Sequence, residues 1–142
     1  MQNNLKFRIC YTAQNGEKRI IYNDERYLIG LDGKIYENYG KSSKEPVWEN
    51  IFDGEGYLEQ YTGLKTEDSK EIYAGDIVTL EGFGDEPPEK RIVQWSNHDG
   101  IWECAPKGCK DYCWDNGFDE AALSMYPGVK VIGNIFENPE LL

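Results

Sequence analysis

The sequence predicts a mainly β protein: N-terminal hairpins packed with a small antiparallel, partly open β-barrel of SH3-like or pseudo-barrel character, carrying one short helix. Three observations predict it. Apolar residues alternate with period two in short runs, the spacing of half-buried strands. Asn-Gly and Asp-Gly dipeptides punctuate those runs at short intervals, as hairpins require. Ten Tyr, five Phe and four Trp in 142 residues supply the large area per side chain that a small β core needs.

Phe7, Ile9 and Tyr11 alternate with Arg8, Cys10 and Thr12, predicting a first strand over residues 6–12. Gln14-Asn15-Gly16-Glu17 predicts a type I′ turn, whose two central residues both need positive φ, and residues 19–23 return as the second strand. Residues 25–30 and 34–38 flank Leu31-Asp32-Gly33 as another hairpin, so residues 6–38 read as a meander. Residues 40–56 are polar and rich in breakers, with Val47, Trp48, Ile51 and Phe52 as apolar anchors for a docked linker. The expected division therefore sets an N-terminal hairpin subdomain with linker (1–56) beside a C-terminal barrel subdomain (57–142).

The second half is organised by the stretch from Leu58 to Val78. An alternating run ends at Gly63, a polar connector covers residues 65–70, and Gly75-Asp76 opens a β-branched strand. Residues 82–89 form an acidic loop, because Pro87 and Pro88 cannot donate to a ladder. Residues 91–95 and 101–105 read as strands around an Asn97-His98-Asp99-Gly100 turn. Residues 107–117 read as a loop. Asp119 to Met125 predicts one to two helical turns, with Asp119 and Glu120 at the positive end and Pro127-Gly128 beyond. Residues 129–136 form the last strand. Ile77, Val78, Ile132 and Ile135 suit buried strand positions, and Gly133-Asn134 signals a bulge or a close backbone approach. Asn138-Pro139 then reads as the N-cap and first position of a final turn.

The formal net charge is −11, with −3 on residues 1–71 and −8 on residues 72–142. Affinity for nucleic acid rests on Lys and Arg displacing counterions, so direct nucleic-acid binding is not expected. The start has no basic-then-apolar segment and no apolar run reaches membrane length, which predicts a cytoplasmic protein with no membrane partner and reduced cysteines.

His98, Cys104, Cys109 and Cys113 offer four potential ligands within sixteen residues, enough in number for tetrahedral zinc. No CxxC pair exists and Cys104 falls on a strand, so the favoured reading is reduced thiols with neither metal nor cofactor. His98 is the single histidine and sits in a turn, which leaves no nucleophile–base pair. Asp85, Glu86, Glu89, Asp119 and Glu120 read as solvated loop acids. Gly82-Phe83-Gly84 is followed by acids and prolines instead of the helix and Lys of a phosphate loop. No catalytic residue is expected. Trp102, Tyr112, Trp114 and Phe118 are the candidate interface, together with the residue 82–89 loop. Solubility accounts for the acid excess; mimicry of DNA by surface carboxylates is the sharper alternative.

Four stretches carry a resemblance: Leu5-Lys6-Phe7-Arg8; Gln60-Tyr61-Thr62-Gly63-Leu64-Lys65; Glu71-Ile72-Tyr73-Ala74-Gly75-Asp76-Ile77-Val78; and residues 131–142, VIGNIFENPELL. In order and spacing they resemble the YopX family, essentially end to end. The family usually carries Asp and Gly where Thr66 and Ser69 stand, an acid where Ala74 stands and an aromatic near Cys10. The resemblance implies a phage or prophage origin in Gram-positive bacteria and a β-rich fold, and it carries over no catalytic residue. Gly63, Gly75, Asp76, Gly133 and Asn134 are then expected to be architectural. The function expected is that of a non-enzymatic accessory protein acting through protein–protein contacts, with itself as a homo-oligomer or with a host factor. The alternative is a nucleic-acid-directed module or acidic DNA mimic, with a Cys/His zinc site.

Overall fold

The computed structural model describes residues 6–13, 15–22, 27–29, 35–40, 48–50, 56–80, 87–106, 118–119, 123 and 128–142. The protein is mainly β and antiparallel, and one four-stranded sheet curls into a half-barrel. Two compact units divide it, Lys6–Leu58 and Glu59–Leu142.

In the first unit, β1 (Phe7–Thr12) and β2 (Lys18–Tyr22) pair from Arg8↔Tyr22 to Thr12↔Lys18. Their turn closes through Ala13 N–H to Glu17 O and Gly16 N–H to Ala13 O, both 2.8 Å. Gly16 takes φ +81° while Asn15 does not have positive φ, which corrects the type I′ expectation. Asn15 contributes its side chain instead: its Oδ1 accepts the Glu17 N–H at 3.0 Å. β3 (Tyr27–Ile29), β4 (Ile35–Asn38) and β5 (Trp48–Asn50) form a three-stranded sheet in that order. The hairpin tip at residues 31–33 lies outside the described residues, as do Val47, Ile51 and Phe52. β5 corrects the linker reading, since Trp48 stands opposite Asn38 in a ladder. Three residues are too few for alternation to declare itself, so the surrounding breakers dominated the pattern.

The chain passes into the second unit within β6 (Gly56–Lys65), which pairs with β7 (Glu71–Tyr73). Tyr61 faces Tyr73 and Lys65 faces Glu71, so four steps along β6 oppose two along β7. Gly63, at φ +87°, lies in this bulge. The strand therefore bends at Gly63 and continues to Lys65, where the sequence suggested an end. Thr62 stabilises the bend: its Oγ1 donates to Ile72 O at 2.8 Å and accepts the Leu64 N–H at 3.1 Å. The β6–β7 turn closes through Thr66 N–H to Lys70 O and Ser69 N–H to Thr66 O, both 2.9 Å. The Thr66 hydroxyl also bonds Asp68.

β8 (Asp76–Leu80), β9 (Glu89–Ser96), β10 (Ile101–Ala105) and β11 (Lys130–Asn134) form the sheet β10-β9-β8-β11. Of the residue 82–89 loop, residues 82–86 lie outside the described residues. Leu64, Ile72, Val78, Leu80, Val93, Cys104, Phe118 and Val129 make the core, with Trp102, Leu123 and Val131 packed against it. Each fully buried aliphatic contributes roughly 1.5–3 kcal/mol. Phe118 thus belongs to the core and is not free surface. Leu123 N–H bonds Asp119 O at 3.0 Å, one α-helical bond inside the expected helix; residues 120–122 and 124–125 lie outside the described residues.

Ile77 and Val78 are fully buried, but Ile132 and Ile135 are 38% and 37% exposed, a correction to their expected burial. The register steps from Val131↔Val78 to Gly133↔Ile77, so Ile132 is the extra residue of a bulge and is thrust outward. Ile135 lies just past the end of β11. Pro139–Leu141 forms a final 3₁₀ turn with Pro at its start, and Asn138 gives it no side-chain cap. The Asn138 side chain instead turns back to accept the Asn134 N–H at 3.3 Å.

Among the described residues Ser69 is the one non-glycine with positive φ, at +66°. That conformation costs a side-chain-bearing residue about 1–2 kcal/mol, against about 0.4–1 kcal/mol of extra unfolded-chain entropy for glycine. Ser69→Gly is therefore expected to raise stability by about 0.5–1 kcal/mol in urea unfolding, with no change in m-value.

Candidate functional site

A dense polar constellation surrounds Gly75, in the two-residue turn between β7 and β8. Ala74 N–H bonds Gln60 O at 2.8 Å, Gly75 N–H bonds Val93 O at 2.8 Å, and Ile135 N–H bonds Gly75 O at 2.9 Å. Asp76 Oδ2 accepts the Tyr73 N–H at 2.8 Å and closes the turn from within. Gly75 adopts φ +82°, and a Cβ there would lie 2.2 Å from Glu59 Oε1. The carboxyl of Glu59, a residue only 3% exposed, therefore fills the volume a side chain would take. Nothing in the sequence signalled Glu59, an acid within an alternating run.

Asn134, directly opposite Asp76, organises the other end. Its Oδ1 accepts the N–H groups of Phe136 at 3.0 Å and Glu137 at 2.8 Å, and its Nδ2 donates to Glu137 Oε2 at 3.1 Å. Gly133 serves close approach: a Cβ would meet Asn138 Oδ1 at 2.6 Å and Leu141 Cδ1 at 2.8 Å. Gly63 differs, with open space around its missing Cβ and only its φ to justify it. All five motif glycines and polar residues thus hold backbone in place.

Cys104 is buried in the core, and desolvation pushes its thiol far above the ordinary range; Arg91 opposes this and Glu103 adds to it. His98 is exposed in the β9–β10 turn, with Nδ1 3.0 Å from Asp99 Oδ1. Cys104 lies three residues into β10, on the order of 10 Å along the strand from that turn. The structure does not bring the two together, and the described residues contain no group of three His, Cys, Asp or Glu that could hold a metal. Cys109, Cys113, Tyr112 and Trp114 lie outside the described residues.

One carboxylate escaped the sequence reading on β10. Glu103 is 1% exposed and accepts Gln94 Nε2 at 2.6 Å across the β9–β10 pair. On the opposite face of that pair Trp95 and Trp102 stand directly across from each other, edge to face, with centroids 5.2 Å apart. Trp102 leans on the core, whereas Trp95 is 47% exposed.

The family model described as YopX protein matches residues 6–142. The chain belongs to the YopX family. The crystal structure of protein EF1440 from Enterococcus faecalis is similar, at 23% identity over 97% of each chain and a TM-score of 0.59; that likeness shows the fold. No match is found among the curated proteins. In this YopX-family chain, the β6–β7 connector carries the left-handed Ser69.

Gly75→Ala combines backbone strain with displacement of a buried carboxyl and is expected to cost about 3 kcal/mol or more. Gly63→Ala meets only the strain, about 1–2 kcal/mol; urea unfolding of both variants checks the difference. Cys104 is expected to resist alkylation by iodoacetamide in the folded protein and to react once urea opens the sheet, as peptide mapping would read.

Proposed function

We propose that this protein is a non-catalytic phage or prophage accessory protein of the host cytoplasm that binds a basic protein partner through its β9–β10 hairpin. The observation that carries this reading is the tryptophan pair. Leaving Trp95 nearly half exposed forgoes burial of a large apolar surface, and exposed Trp is the residue type most enriched at binding hot spots. Its unit is also the charged one. Residues 59–142 hold seven bases against seventeen acids, net −10, while residues 6–58 hold eight against nine, net −1. Two copies of so acidic a unit repel, which favours a basic partner over a second copy.

Other features support the same reading. Asp76 and Glu103 each hold a hydrogen bond within the fold. Cys104 is a free thiol, as a reducing compartment favours. Among the described residues no helix is long and apolar enough to cross a membrane. The acidic unit favours one specific variant, in which its carboxylates occupy a nucleic-acid cleft on the partner.

The test uses wild-type protein and Trp95→Ser, matched by circular dichroism, to capture proteins from a bacterial host lysate, followed by titration of the captured protein. Loss of a hot-spot Trp costs about 2 kcal/mol or more, so Kd should rise roughly 30-fold, and binding should weaken with salt. Equal affinity for both baits would sink the proposal. Self-association by light scattering would transfer it to a second copy, and competition by duplex DNA would establish the mimic.

A further inference from the structure

The β1–β2 turn carries chemistry that the reading above does not use. Asn15 and Gly16 are both exposed, and the space around the missing Cβ of Gly16 is open. Among the described residues Asn15 is the one asparagine followed by glycine. A backbone nitrogen without a flanking side chain can approach the preceding amide carbon, and asparagine is among the thermolabile residues for this reason.

We propose that Asn15 is a spontaneous deamidation site that acts as a one-way loosening of the β1–β2 hairpin. The Gly16 nitrogen attacks Asn15 Cγ, forming the N–Cγ bond. The Cγ–Nδ2 bond breaks, and Nδ2 leaves as ammonia with the proton given up by Gly16. Water then opens the cyclic imide. Cleavage at Cγ yields aspartate, and cleavage at the backbone carbonyl carbon yields isoaspartate.

The turn both restrains this reaction and is damaged by it. Gly16 N–H is held by Ala13 O at 2.8 Å, and Asn15 Oδ1 is held by Glu17 N–H at 3.0 Å, so attack waits on opening of the turn. Exposed hairpin tips open at the low end of the stability range. The product loses the Asn15 Nδ2 donor to Glu17 Oε2 (3.4 Å) and sets a carboxylate beside the Glu17 carboxylate. That weakens the exposed Arg19–Glu17 ion pair at 2.8 Å. Isoaspartate also lengthens the backbone by one methylene, which spoils the Ala13–Glu17 closure.

Folded full-length protein is incubated at mildly alkaline pH and digested with trypsin, and the peptide of residues 9–18 is resolved into its Asn, Asp and isoaspartyl forms. A urea-unfolded sample and folded Asn15→Ser run in parallel. The expected result is both products at position 15 in the folded protein, at a rate within about tenfold of the unfolded chain. No conversion occurs in that peptide of Asn15→Ser. Survival of intact Asn15 in the folded protein over the time the unfolded chain converts would overturn the proposal. So would aspartate formed without isoaspartate, since that product pattern bypasses the imide.

Discussion

The constraint on which the second unit depends is the peptide at Gly75. Its N–H is committed to Val93 on β9 and its C=O to the Ile135 N–H beyond β11, while the neighbouring Ala74 N–H is committed to Gln60 on β6. One turn therefore ties the ends of separate ladders together. A buried amide left without a partner costs about 1–3 kcal/mol, so these bonds resist separate loss. Glycine is required twice over, by the left-handed φ and by the Glu59 carboxyl in the Cβ position. Three of the stretches that mark the family, around Gln60, Gly75 and Ile135, lie far apart in the chain and meet here. Their shared physical task is to close this junction.

The other motif residues extend that task outward. Asp76 replaces a ladder bond inside the β7–β8 turn, and Asn134 gathers the amides that follow β11. Gly133 lets the final turn settle onto the strand. Polar groups engaged in this way stabilise a shape. The β9–β10 hairpin carries one tryptophan packed on the core and, across from it, the half-exposed Trp95. An aromatic held rigidly by a sheet loses little entropy on binding, which is the physical basis of the contact proposed for this hairpin.

Much of the fold was legible because the strand signal is local. β1, β2, β8, β9 and β10 declare themselves through alternation and their bounding turns. The errors cluster where a bulge changes the phase. Gly63 looked like a strand end, yet β6 bends there and runs on to Lys65. Ile132 looked buried, yet it is the extra residue of a bulge. Asn15 was read by its backbone preference, whereas it acts through its side chain, and the Asn138 side chain bonds back to Asn134 instead of capping the final turn. Glu59 and Glu103 were invisible because an acid in an alternating run ordinarily faces water.

The sequence by itself determined the class of fold, most strand positions and the family, since all of these rest on near-neighbour pattern. Only the tertiary structure decided which acids are buried, where ladders slip, that Phe118 fills the core and that Trp95 faces water. Those outcomes depend on which distant backbone groups compete for the same hydrogen bonds and the same volume. Spacing along a chain holds no record of that competition.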